Sequence, residues 1–157
     1  MPDHPTLYTL NSPLPQSLLA ASVTPSELNH LATLSTEAKS RAYAPYSKFR
    51  VGATLSAVPS SDLKSGPSSA QDPSHMIGAN IENASYPVGL CAERSVLSRA
   101  VVDGFRNFQV LAISTDITPP ASPCGMCRQL YVISVTCLLH VFHIASYGIA
   151  NLSTFYV

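Results

Sequence analysis

Two short segments concentrate thiol, carboxyl and guanidinium groups at close spacing. They are Cys91-Ala92-Glu93-Arg94 and Pro123-Cys124-Gly125-Met126-Cys127-Arg128-Gln129. A C-x-x-C pair alone is compatible with a redox couple, a metal site or two unremarkable thiols. A third cysteine at the start of another predicted helix shifts the balance toward metal. Three thiolates fill three corners of a tetrahedral zinc site and leave the fourth to water, the arrangement of a catalytic zinc rather than a structural one. Glu93 need not be a ligand. Beside an open zinc position a carboxylate can take a proton from bound water, whose pKa zinc lowers to about 7, and return it to a leaving group. Taken singly, a helical glutamate is more often simply solvated.

The surrounding pattern predicts the elements that hold these groups. Thr24-Pro25-Ser26-Glu27 reads as a capped helix start, with Glu27 closing a capping box. Leu28, Leu31, Ala32, Leu34, Ala38 and Ala42 keep one face, so the helix is expected to run to about Arg41 and stop before Pro45. Phe49 to Leu55 alternates as a strand, and Met76 to Ile81 reads as its returning partner. Between them, residues 57–75 are rich in Pro, Ser and Gly and are expected to form a flexible surface loop. Residues 91–104 read as a helix, Phe108 to Ser114 as a strand, and a further helix should open near Cys124. Residues 1–23 read as an irregular arm. Strands alternating with helices predict an α/β layered domain. In this layout Cys91 opens one helix and Cys124 and Cys127 lie in the first turn of another, where the helix end favours thiolate. Three thiolates and one Zn²⁺ leave a surplus negative charge, which Arg94 and Arg128 are placed to offset by hydrogen bonding to sulfur.

At 157 residues the chain has room for one domain. Nine basic residues balance nine acidic ones, which argues against an electrostatic hold on nucleic acid or an anionic membrane. The N-terminus has neither the basic nor the apolar region of a signal peptide. The expected compartment is therefore reducing and cytoplasmic, where close cysteines serve as ligands or nucleophiles more often than as disulfides.

The combined motifs resemble the zinc-dependent cytidine deaminases of free nucleosides. The matching segments are AYAPYSKFRVGA (42–53), NIENASYPVGLCAERS (80–95) and SPCGMCRQL (122–130), and the resemblance spans residues 24–130. It implies a three-layer α/β/α sandwich around a mixed sheet. It also implies hydrolytic deamination of cytidine and deoxycytidine in pyrimidine salvage, with one zinc per subunit. Cys91, Cys124 and Cys127 would bind the metal and Glu93 would carry protons. Asn80 and Glu82 would hydrogen-bond the ribose and Phe49 would pack on the pyrimidine. Ala84 and Tyr86 match positions that line a neighbouring subunit's site in tetrameric members, and Tyr46 and Arg94 match supporting positions. The implied partners are a small nucleoside and further copies of the chain, without nucleic acid. Blasticidin-S-type deaminases share the CAE and PCxxCRQ pattern, but the NIEN motif favours cytidine. A non-catalytic zinc-binding homologue is the reading from a different class. A redox protein would leave Cys91, Glu93 and NIEN unexplained.

The resemblance stops after Leu130. The last 29 residues contain no Asp, Glu, Lys or Arg and are β-branched, aromatic and apolar. They are compatible with divergent edge strands, with a short membrane anchor, or with an aberrant ending such as a translated intron or splice variant. The abrupt loss of charge favours the last, which would leave the sheet incomplete at its C-terminal edge.

Overall fold

The computed structural model describes residues 7–9, 23–57, 75–117, 121–131, 139–144 and 149–155. The first helix, α1, spans Pro25–Ser40. Thr24 caps it, its hydroxyl accepting a hydrogen bond from the Glu27 N–H at 3.1 Å. The Glu27 carboxylate faces Ser56 Oγ at 3.4 Å, where the sequence led one to expect it to close a capping box. Strands β2 (Val51–Ala57) and β3 (His75–Ala79) form the expected antiparallel pair, and β4 (Phe108–Thr115) flanks β2 on its other side. Helix α2 spans Ala92–Val102 and α3 spans Gly125–Tyr131.

Three sequence expectations need correction. The C-terminal stretch contributes strands β5 (Leu139–Ile144) and β6 (Ile149–Phe155), so the sheet extends beyond β4 where an incomplete edge was expected. Its β-branched and aromatic residues suit pleated backbone, and β5 lies parallel to β4 with β6 returning antiparallel. The supposed arm contributes β1 (Leu7–Thr9), which pairs antiparallel with β6. The resulting six-stranded mixed sheet has the order β1-β6-β5-β4-β2-β3. Finally, Ala57 and His75 belong to strands, and the rest of the expected loop, residues 58–74, lies outside the described residues.

The two long helices cover opposite faces of the sheet. Gly52 and Gly78 lie on neighbouring strands but on opposite faces, because Gly52 pairs with Ala79 and Gly78 with Ala53. A Cβ on Gly52 would stand 2.1 Å from Ser35 O in α1, and one on Gly78 would stand 2.7 Å from Val96 N in α2. Each glycine therefore lets one helix approach the sheet backbone. The α2 face carries the main apolar core, with Leu55, Met76, Val96, Leu97, Phe108, Leu111 and Ile113 buried together with Cys127 and Tyr131 of α3.

Topology then decides where chemistry can gather. β3 and β4 are both antiparallel to β2, so they run in the same direction and end at the same edge. The segment leaving β3 enters α2, and the segment leaving β4 leads to α3. The residues just before β2 lie at that same edge. Ligand sites in α/β sheets favour such carboxyl ends.

Gly52→Ala should destabilise the domain by about 3 kcal/mol or more, because the clash is with helix backbone that no rotamer change relieves. A urea melt of the variant against the parent chain measures this, and an unchanged midpoint would refute the close-approach role.

Candidate metal centre

Cys91 is the residue immediately before α2, in extended backbone, and Cys124 immediately precedes α3. Cys127 lies in the first turn of α3 and is fully buried, whereas Cys124 is exposed. The three Sγ atoms lie within 4.8 Å of one another. Cys91 Sγ is 3.8 Å from Cys124 Sγ, which is 3.4 Å from Cys127 Sγ. Sulfurs bound to one tetrahedral zinc at about 2.3 Å stand about 3.8 Å apart, so the donor set fits that ion. Among the described residues no other group of three His, Cys, Asp or Glu side chains is arranged to hold a metal.

The thiols are electrostatically coupled. A hydrogen bond from Cys127, with further help from Arg94 and Cys124, draws Cys91 down to about 5 against the opposing effect of burial. The partner effect pushes Cys127 well up, first through that same hydrogen bond and then through burial. Arg94 bridges two parts of the site, donating from one guanidinium nitrogen to Gly89 O at 3.0 Å and to Cys91 Sγ at 3.5 Å. Arg128 differs from expectation. Its Nε donates to Pro123 O at 3.1 Å, so it braces the turn before Cys124, and no sulfur contact accompanies that bond. Glu93 is buried in the first turn of α2. Burial, then the negative charge of Cys91, raises its carboxyl above the ordinary range, while a backbone N–H, the Cys127 thiol and Arg94 act in the opposite direction.

A second group of predicted residues lies beside this cluster. Ile81 pairs with Leu90, the residue before Cys91, and Tyr43 pairs with Ile81 on its other side. This lacing ties residues 43–50 to 80–82 and to the ligand loop. Asn80 uses its side chain on the start of β2, with Oδ1 accepting from Val51 N–H at 2.8 Å and Nδ2 donating to Phe49 O at 2.9 Å. Glu82 accepts from Tyr46 N–H at 2.9 Å, from Ser47 N–H at 3.2 Å and from the Ser47 hydroxyl. The Ser47 hydroxyl bond is the main reason its carboxyl is held low. Phe49 is half-buried, whereas Ala84, Tyr86 and Tyr46 are exposed, Tyr86 to 90%.

Residues that sequence reasoning passed over are Ser47, which also accepts from Phe49 N–H at 2.9 Å, and Lys48, whose φ is 60°. Another is Asp116, which pairs with Lys39 and Arg50. Ser47 and Lys48 stand inside the AYAPYSKF segment and gave that signal. The Asp116 pairings join residues far apart in the chain and have no local pattern.

Against this geometry, residues 25–138 match the family described as the cytidine and deoxycytidylate deaminase zinc-binding region. The chain belongs to that family. It is 41% identical over 104 residues to a cytidine deaminase of Sporosarcina psychrophila, covering 66% of this chain and 67% of that protein. It is 42% identical over 94 residues to one from Halalkalibacterium halodurans, covering 60% and 61%. The matched region thus spans roughly two thirds of these relatives' length. The crystal structure of cytidine deaminase from Burkholderia pseudomallei superposes with a TM-score of 0.66 at 33% identity, covering 80% of this chain and 91% of that one. The Mycobacterium tuberculosis enzyme superposes with a TM-score of 0.57 at 30% identity, over 73% and 83%.

The purified chain should bind one zinc, and Cys127→Ser should lower the bound zinc to well below one per chain. Elemental analysis after dialysis measures this. Full retention by the serine variant would show that Cys127 is no ligand.

Proposed function

We propose that the chain hydrolytically deaminates cytidine and deoxycytidine to uridine and deoxyuridine, releasing ammonia, as a step of pyrimidine salvage. The observation that carries this reading is the buried carboxyl of Glu93 beside three convergent sulfurs, in a chain of the deaminase family. Cys91, Cys124 and Cys127 hold the zinc. When bound, zinc supplies Lewis acidity that brings the pKa of water to about 7. Glu93 takes one proton from the attacking water and delivers it to N3 of the pyrimidine, then takes the second proton from that oxygen once it is bonded to C4 and delivers it to the leaving amine, so that the C4 carbonyl forms as ammonia departs. Its burial keeps these protons from bulk solvent. Arg94 balances the sulfur charge, and Arg128 keeps Pro123 and Cys124 in place.

Phe49 lies against the pyrimidine ring. Asn80 retains one free acceptor direction and one free N–H beyond its bonds to residues 49 and 51. With Glu82 it reaches a ribose hydroxyl. The sequence carries no excess of basic charge to hold a polynucleotide, which supports a free nucleoside as substrate. Free thiols in the ligand set support a reducing, cytoplasmic setting. No helix among the described residues is long and apolar enough to cross a membrane.

Glu93→Gln should lower kcat by about 10²-fold or more while zinc content stays unchanged. Conversion of cytidine to uridine by the zinc-loaded chain measures this. A zinc-loaded parent chain that turns over neither nucleoside would refute the activity.

We further propose a homotetramer. Tyr86 is 90% and Val88 68% exposed, next to the loop that delivers Cys91, and exposed apolar groups of this size are suited to burial by another subunit. Light scattering should give the mass of four chains, and Tyr86→Ser should reduce it. A monomeric parent chain would exclude the assembly.

A further inference from the structure

We propose that Asp116 is a positioning residue for substrate, acting through Arg50 to set the place of Phe49. The substrate identity rests on the deaminase reading above, whereas the brace itself rests on geometry alone. Arg50 meets Asp116 three times. Its N–H donates to Oδ2 at 3.2 Å, its Nε to Oδ2 at 3.0 Å, and one terminal nitrogen to Oδ1 at 3.3 Å. The two side-chain bonds form the planar fork that only arginine supplies, and the backbone bond ties the main chain itself to the carboxylate. From below, Lys39 Nζ reaches Asp116 Oδ1 at 3.2 Å and donates to Thr115 O at 3.1 Å. Lys39 is nearly buried at the end of α1, so Asp116 is anchored to the scaffold as well as to Arg50.

Phe49 sits between two such holds. On the Arg50 side stands Asp116. On the other, Asn80 binds Phe49 O and Val51 N–H, and Ser47 accepts from Phe49 N–H. The segment needs holding, because Lys48 adopts a φ of 60°, in the left-handed region that a lysine disfavours. The local Ser47–Phe49 bond spans Lys48, and the holds from outside the segment come from Asn80 and Asp116. Asp116 also follows β4 directly and stands eight residues before Cys124 in the chain, so one carboxylate connects the aromatic wall to the strand that leads to two of the zinc ligands. An ordinary surface ion pair would affect neither side chain order at position 49 nor substrate affinity.

The chain contains no tryptophan, so Phe49→Trp places a single fluorescent reporter at the position in question. In that background Arg50→Ala and Asp116→Asn should each lower the reporter's anisotropy and increase its quenching by acrylamide, with Arg50→Lys intermediate. With Phe49 intact, the same substitutions should raise KM for cytidine roughly tenfold and leave kcat within about twofold, the pattern of lost substrate positioning. Zinc content should stay at the parent level. Unchanged quenching in both variants overturns the proposal, and so does an unchanged KM in an active chain. A fall in kcat with loss of zinc also overturns it, since that would place the effect at the metal. If the parent chain converts no cytidine, the deaminase reading fails by itself, and the quenching comparison still decides whether Asp116 holds position 49.

Discussion

Three sulfurs within 4.8 Å of one another repel one another as soon as two are ionised. Two like charges about 4 Å apart repel by about 4 kcal/mol at an effective dielectric constant of 20. Within the protein itself Cys91 is drawn toward the thiolate beside Arg94, while Cys127 is pushed the opposite way by its hydrogen bond to Cys91 and by burial. A divalent cation relieves it more completely, because all three thiols then become ligands. The backbone has therefore arranged a repulsion whose natural solution is a metal ion. Strand direction makes the arrangement possible. Because β3 and β4 run the same way, the segments that follow them deliver Cys91 and Cys124 to one end of the sheet.

The same end receives the chain before β2, and here hydrogen bonds to backbone replace packing. Residues 43–50 form no regular element, yet their groups are satisfied by side chains of a neighbouring segment. Glu82 takes the N–H groups of Tyr46 and Ser47, and at the β2 entry Asn80 accepts from Val51 N–H and donates to Phe49 O. A loop so constrained behaves as part of the framework. It also explains why the motif residues carry two duties. Asn80 and Glu82 are expected to meet the ribose, and they are already fixed by the loop they shape. Preorganised polar groups lose little entropy when a ligand arrives.

Local signals made the ligand set and the central elements legible in the sequence. Thr24 and Pro25 marked the start of α1, the alternation in residues 49–55 marked β2, and Cys91, Glu93 and the C-x-x-C pair marked the centre. The two ends of the chain were not legible for a physical reason. The last 29 residues lack charge, so they show no polar face from which a strand period is read. β1 is only three residues long and exists through its pairing with β6, a contact that no local pattern announces. The Arg128 hydrogen bond was misplaced because adjacency to a cysteine in sequence says nothing about direction around a helix. The guanidinium turns back to Pro123 instead of toward sulfur.

The two faces of the sheet divide the work. Under α1 the packing mixes polar and apolar groups: Ser35, Gly52, Thr54, Ser56 and Ser114, with Thr36 hydrogen-bonded to Ser114 at 3.4 Å, lie among buried Leu28, Leu31, Ala38, Val110 and Ala112. The small residues allow close approach of the helix. Under α2 the packing is apolar, and it continues without interruption through Val96, Leu97, Leu111 and Phe108 to Tyr131 and Cys127. The metal centre is built on this second face. The apolar mass that stabilises the domain therefore also excludes water from Glu93, and burial is the largest influence on both its carboxyl and the Tyr131 phenol. The electrostatics of the centre thus follow from which face carries the core, and the close-packed glycine on β3 that seats α2 belongs to the chemistry as much as to the fold.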